Sequence, residues 1–198
     1  MAPPQPLALL VDFGEVISRP QPEELVRAMA AEAGVGLEVF RERYWANRPE
    51  YDRGASAQSF WSAVAGRPLD ADGRLERLIE LDNASWSVIN EDTMRVLGEA
   101  REHGHSLSLL SNAPHEFADA MASNPVLAGF EHVIFSAWIG VIKPDPGAFA
   151  AAVQRLGRPP EEILFVDDRE ANVEGARAAG LRAVQFTSAE QLRGDLRD

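Results

Sequence analysis

Five short apolar runs recur along the chain: Leu7–Val11, Ser106–Leu110, His132–Phe135, Ile163–Val166 and Arg182–Phe186. The first reads Leu-Ala-Leu-Leu-Val without a break, and the others are similar. Runs of this length that are apolar throughout predict strands of a parallel sheet covered on both faces. Between them the pattern changes to a helical period. Glu91–His103 carries Met94, Val96, Leu97 and Ala100 along one stripe, and Gly104 stands just past its end as a stop signal. Pro114–Ala122, Pro146–Leu156 and Glu170–Ala179 predict further helices, with Gly157 and Gly180 at the C′ positions of the last two.

Strand and helix alternate from about residue 90 onward. That alternation implies right-handed crossovers and a doubly wound α/β fold with a parallel sheet. The stretch from Pro20 to Ile89 is different, because it holds no convincing strand. Amphipathic helices are expected at Pro22–Ala33, Leu37–Ala46, Ala57–Ala65 and Asp72–Ser85. The expected organisation is a core of residues 1–19 and 90–198, interrupted by a four-helix insert of residues 20–89.

Composition bounds the function. A chain of 198 residues, 45% hydrophobic and 25% charged, has the make-up of a soluble globular protein with a sizeable core. The net charge of −12 carries no basic footprint for nucleic acid. It would also repel a phosphate ester at long range, so a phosphate site needs local cations. There is no cysteine, which excludes disulfides, thiolate metal sites and a cysteine nucleophile. Met1–Pro6 lacks a basic leader region, and Leu7–Val11 is too short to span a bilayer. A cytoplasmic protein with no membrane partner is the expectation.

The candidate chemistry lies at strand ends. Asp12, Ser111 and the Asp167-Asp168 pair each follow an apolar run, and Lys143 lies eight residues beyond the His132–Phe135 run. In a doubly wound sheet, ligands bind outside the carboxyl ends of the strands. Asp12 is the candidate nucleophile, since a carboxylate can attack phosphorus and split hydrolysis into two easier steps. Gly14 permits close backbone approach, and its carbonyl can reach a metal. Adjacent acids such as Asp167 and Asp168 repel unless a cation sits near them. Mg²⁺ takes oxygen ligands, and Asp12, the Gly14 carbonyl and Asp168 would supply three, with Asp167 holding a metal-bound water or Lys143. Asp168 also stands where an N-cap for the helix from Glu170 belongs. The Ser111 hydroxyl and Asn112 N–H, opening a helix after Pro114, suit phosphate oxygens. Lys143 is the only lysine, the other 18 basic residues being arginine, and would offset charge on Asp12 and on phosphate. Asn172 is a candidate for orienting the late acids. Trp45, Trp61 and Trp86 are expected in the core of the insert, with one of them as a pocket wall the lesser alternative. Arg19 and Arg53 are expected on the surface, with facing a substrate the lesser alternative. No zinc-binding spacing, P-loop, G-x-G-x-x-G or G-x-S-x-G is present.

Taken in order, Asp12-Phe13-Gly14-Glu15-Val16, Ser111-Asn112, Lys143-Pro144 and Asp167-Asp168-Arg169-Glu170-Ala171-Asn172 resemble the haloacid dehalogenase-like (HAD) hydrolase superfamily over nearly the whole chain. The resemblance implies a Rossmann-like core and a Mg²⁺-dependent phosphatase with Asp12 as nucleophile, acting on a small phosphorylated metabolite. It implies that the helical insert is a C1-type cap. D-x-G-x-V with a DDxxxN ending is similar to the bacterial sugar-phosphate phosphatases and to the phosphatase domain of epoxide hydrolases.

Gly14 departs from that pattern. Most HAD phosphatases carry a second aspartate there, which protonates the leaving alcohol and later activates water. A metal-bound or cap-delivered group can replace it, Glu15 can partly substitute from a neighbouring position expected to point elsewhere, or the enzyme is slow. Two alternatives to a phosphatase stay open. A 2-haloacid dehalogenase also lacks the second aspartate, but would leave Asp167-Asp168 without a purpose. A non-catalytic binding protein of the same fold would leave Asp12 and Lys143 unexplained as well.

Overall fold

The computed structural model describes residues 7–69 and 73–196. Met1–Pro6 and the expected helix start at Asp72 lie outside the described residues. Five strands form one sheet: β1 Ala8–Val11, β2 Ser106–Ser111, β3 His132–Phe135, β4 Ile163–Asp167 and β5 Arg182–Gln185. All pairs are parallel, and the order is β3-β2-β1-β4-β5. The fold is a Rossmann-like α/β sandwich.

The unbroken apolar runs are explained by two cores, one on each face. Leu9 and Val11 of β1 join Val96 and Leu97 of α5 (Glu91–Glu102) and Phe117 of α6 (His115–Met121). Ala8 and Leu10 point the other way, to Phe149 of α8 (Pro146–Leu156) and to Val173 and Ala176 of α9 (Glu170–Ala178). The period-2 alternation of a strand thus divides one apolar tetrapeptide between two layers.

The helical insert between β1 and α5 consists of α1 Glu23–Ala33, α2 Leu37–Asp52, α3 Ala57–Ala65 and α4 Arg74–Trp86. It has its own core, with Met29, Phe40, Tyr44, Trp61 and Leu78 buried together. Ser56 caps α3 by accepting the Ser59 N–H at 3.2 Å.

The largest departure from the expected elements is in α2, which runs six residues beyond Ala46 and through Pro49. Pro49 removes one helical N–H, but Arg48 and Asp52 pair one turn apart at 2.7 Å and Tyr51 is buried against Phe60, so the extra turns hold. Two short helices, α7 Ser136–Ile139 and α10 Ala189–Asp195, were not marked by any periodic stripe. No helix among the described residues is long and apolar enough to cross a membrane.

Candidate active site

The register places Val11 of β1 beside Val166 of β4, and the Asp12 N–H donates to the Val166 carbonyl at 2.9 Å. One residue further along each strand stand Asp12 and Asp167. Lys143 reaches both from the loop between α7 and α8: its Nζ lies 2.7 Å from Asp12 Oδ1 and 2.7 Å from Asp167 Oδ2. The ammonium is 5.2 Å from the centroid of the Phe165 ring. Only 2% of Lys143 is exposed, so this cation beside the strand-end acids is buried.

Asn112 fixes the Lys143 backbone from both sides. Its Oδ1 accepts the Lys143 N–H at 2.8 Å, and its Nδ2 donates to the Lys143 carbonyl at 2.9 Å. The Lys143-Pro144 peptide is cis. Behind this loop α9 comes very close: a Cβ on Gly175 would lie 3.0 Å from the carbonyl oxygen and the Cβ of Pro144. Ser111 is buried at the end of β2 and lines the same cavity as Asp12.

Asp167 is fully used within the protein. Its carboxylate accepts from Lys143 Nζ, from Asn172 Nδ2 at 2.9 and 3.0 Å, and from the Arg169 N–H at 2.9 Å. Asn172 therefore orients this acid. Asp168 does not cap α9; Arg169 is the N-cap residue and no side chain caps it. Asp168 instead turns into the cavity, and Asp12, Asp167 and Asp168 each offer an oxygen within 4.8 Å of the others.

One lysine faces these three carboxyls, which leaves the cluster two positive charges short when all are ionised. The imbalance is visible in the acids. Burial, with repulsion from Asp167 and Asp168, holds the Asp12 carboxyl up at about 7 against the pull of Lys143. Burial, then Asp167 and Glu15, raises Asp168 to about 6. Burial would pull Lys143 down, but Asp12 and Asp167 outweigh it and keep its pKa above the usual range. An oxygen-only donor set short of two charges fits a hard divalent cation.

Asp12 is followed by a tight turn, Phe13–Ile17, in which the Ser18 N–H donates back to the Phe13 carbonyl at 2.8 Å. Glu15 takes a left-handed conformation, φ 57°, in this turn. It does not point away from the site as its sequence neighbourhood suggested: it lines the cavity, and its charge acts on Asp168. A Cβ at Gly14 would lie 3.5 Å from Cζ3 of Trp86, an ordinary contact, so the indole flanks this position without closing it.

The other wall comes from the insert. A cavity of about 300 Å³ is lined by the strand-end residues on one side and by Trp45, Arg48, Asp52 and Trp86 on the other. The expectation that Trp45 belongs to the insert core is wrong: it is 49% exposed on the cavity rim, because only the 3.6-residue stripe through Phe40 and Tyr44 faces inward. Trp86 also forms cavity wall, whereas Trp61 is fully buried as expected. Arg19 and Arg53 stay on the surface, Arg53 paired with Glu50 at 2.6 Å and Arg19 with Asp92 at 3.9 Å.

Arg48 and Asp52 were not singled out from the sequence. Arg48 Nε donates to Asp52 Oδ1 at 2.7 Å, and Nη1 bonds to Asp82 Oδ2 at 3.3 Å and to the Tyr44 hydroxyl. Burial raises the Asp52 and Asp82 carboxyls, while Arg48 pulls both down. The i, i+4 spacing of Arg48 and Asp52 was the available signal, but it lies beyond the predicted end of α2.

The sequence profile of the haloacid dehalogenase-like hydrolases matches residues 8–180. The chain belongs to the haloacid dehalogenase-like hydrolase family. It is 31% identical over 189 residues to a phosphatase of Mycobacterium tuberculosis, covering 89% of this chain and 84% of that one. It is 36% identical over 125 residues to the phosphoserine phosphatase of Thermus thermophilus, covering 58% of this chain and 49% of that protein. Among solved structures, a HAD family enzyme of Bacteroides thetaiotaomicron in a magnesium complex superposes with a TM-score of 0.77 at 20% identity, over 98% of this chain and 99% of that one. An L-2-haloacid dehalogenase superposes at 0.73 with 18% identity, over 98% and 100%. The shared HAD fold therefore does not separate phosphatase from dehalogenase; the side chains at the strand ends must do that.

Proposed function

We propose that this HAD-like hydrolase is a Mg²⁺-dependent phosphatase of a small phosphate monoester, sugar phosphates being the class its motifs suggest. The observation that carries the reading is the Asp12–Lys143–Asp167 chain, with Asp168 beside it and a charge deficit matching a divalent cation. The phosphatase relatives support it. Asp12, Asp168 and the Gly14 carbonyl would hold the ion, with Asp167 bracing Lys143. The ion would supply charge neutralisation at the phosphate oxygens.

In this reading Asp12 attacks phosphorus through a carboxylate oxygen. The ester P–O bond breaks, the leaving oxygen takes up a proton, and an aspartyl phosphate remains. Water then attacks phosphorus, releasing inorganic phosphate and restoring the carboxylate. Lys143 lowers the cost of bringing a dianionic phosphate to an acidic protein, and the Ser111 hydroxyl and Asn112 N–H bind its oxygens. We read the insert, residues 20–89, as the cap that closes over the leaving group. Position 14 supplies no carboxyl for proton transfer, and Glu15 and Asp52 are the further acids at the cavity wall.

The test is phosphate release from p-nitrophenyl phosphate. Activity should require Mg²⁺ and vanish in Asp12→Asn. Turnover that survives EDTA would overturn the metal assignment. The dehalogenase reading rests on the missing carboxyl at Gly14, and chloride release from 2-chloropropionate would establish it.

A further inference from the structure

The wall opposite Asp12 has a chemistry of its own. Arg48 is 6% exposed and lines the cavity. Its Nε and Nη1 are engaged by Asp52, Asp82 and Tyr44, while among the described residues Nη2 makes no hydrogen bond within the protein. A donor held in a cavity wall favours an acceptor on whatever fills that cavity.

The charge around Arg48 decides which acceptor. Its single positive charge faces two carboxyls, Asp52 at 2.7 Å and Asp82 at 3.3 Å. Even with one of them protonated, the guanidinium is matched. A carboxylate brought to Nη2 would meet these two buried acids. Glu15 and Arg169, both exposed members of the lining, carry opposite charges that solvent screens, and Arg169 already acts on Asp52. A hydroxyl is different, because it accepts from Nη2 and donates to a carboxylate such as Asp52, without adding charge. Carbon faces have partners too. Trp45 and Trp86 stand at 82° to one another with centroids 6.4 Å apart, and Trp86 is held by donating Nε1–H to the Tyr44 hydroxyl at 3.2 Å. Two angled indoles beside a polar fork suit a carbon chain or ring that carries hydroxyls.

We propose that Arg48 is a specificity residue, which with Asp52 selects phosphate esters whose leaving group is uncharged and hydroxyl-bearing and rejects those that carry a carboxylate. The proposal rests on the phosphatase reading and adds the residues that select the leaving group and the carboxylated esters they reject. It sets this chain apart from relatives whose names specify an acidic substrate, such as the phosphoserine phosphatase.

The experiment compares kcat/KM for a hexose phosphate, glycerol phosphate, phosphoglycolate and phosphoserine with Mg²⁺, using p-nitrophenyl phosphate as the common reference. The neutral hydroxylated esters should exceed the carboxylated ones by about tenfold or more, the penalty of a like-charge approach. Asp52→Asn removes one of the two acids that a carboxylate at Nη2 would meet, and should shrink that ratio by raising phosphoglycolate turnover. Arg48→Lys keeps the charge but loses the fork, and should lower the hexose-phosphate rate relative to p-nitrophenyl phosphate. Should Asp52→Asn fail to fold by circular dichroism, the wild-type ratio and Arg48→Lys still decide. A preference for the carboxylated esters, or a ratio unmoved in folded Asp52→Asn, overturns the proposal. Absence of Mg²⁺-dependent turnover of any ester, p-nitrophenyl phosphate included, overturns the phosphatase reading instead.

Discussion

The Ser136 hydroxyl donates to the backbone carbonyl of Asp52 at 2.5 Å and, through the same oxygen, accepts the Ala113 N–H at 2.9 Å. Ser136 opens α7, Asp52 ends α2, and Ala113 follows the Ser111-Asn112 pair. One buried hydroxyl thus ties the helix that carries Arg48 to the loop expected to bind phosphate. Ser136→Ala leaves a buried N–H and a buried carbonyl without their partner, which costs about 1–3 kcal/mol. The expected result is a melting temperature several degrees lower and a raised KM for the preferred ester. An unchanged melting curve with an unchanged KM would show that the tie carries no energy.

The acidic cluster predicts a pH dependence whose sign is set by the raised carboxyls. Asp12 sits at about 7 and Asp168 at about 6, both above the ordinary carboxylate value of 3.8. Between about pH 4 and 7 the folded, metal-free protein holds protons that the unfolded chain has released, so stability falls as pH rises through that window. A divalent cation favours the ionised acids and reverses the trend. Denaturation in EDTA should therefore give a midpoint that declines from pH 5 to pH 7.5. Added Mg²⁺ should raise the midpoint far more at pH 7.5 than at pH 5. In Asp12→Asn the decline should flatten; a slope as steep as that of the unmodified chain would remove Asp12 from the cluster's energetics.

Gly175 tests how the lysine loop is held. Its missing side chain lets α9 approach Pro144, and a Cβ would stand 3.0 Å from Pro144 Cβ, Pro144 O and Phe149 Cε2. The backbone oxygen cannot swing aside as a flexible side chain would. Gly175→Val should destabilise the fold by about 1–3 kcal/mol through overpacking. Because Lys143 precedes the displaced proline, activity should fall by more than the loss of folded protein explains. Urea titration and the specific activity of the folded fraction measure the two effects separately.

The strand-end half of the site was legible because its residues are tied to the sheet's periodicity. Asp12 and Asp167 end runs whose alternate residues fill opposite cores, so an apolar run followed by an acid announces both the strand and its carboxyl edge. The lone lysine was informative for the same reason, being one residue type against a background of arginine. The insert's half was not legible. Its contribution depends on which face of α2 meets the core, and that face is set by packing between helices far apart in sequence. Trp45 looked like core and is rim, and Arg48 fell in a stretch where Pro49 and the polar Asn47 obscure the helical stripe. Glu15 was misplaced because a positive φ for a glutamate is not a local preference and arises from the turn that closes on Ser18.

Position 14 offers the sharpest test of the chemistry. The backbone of Gly14, at φ −62° and ψ 128°, suits any residue, and the nearest atom to a Cβ is Trp86 Cζ3 at an ordinary 3.5 Å. Gly14→Asp should therefore fold. Its carboxyl would stand at the wall of the cavity that Asp12 lines, with Trp86 limiting its movement. General acid help contributes about 10²–10⁴-fold where the leaving group is a strong base, and little where it is a stabilised anion. An alkoxide leaving from a hexose phosphate needs a proton; nitrophenolate does not. The substitution should raise kcat for hexose phosphate by at least about tenfold, a lower bound on that help, while p-nitrophenyl phosphate changes little, as measured by phosphate release under saturating Mg²⁺. Equal acceleration of both esters would point to a change in metal binding, and no acceleration of either would mean that another group already moves the proton.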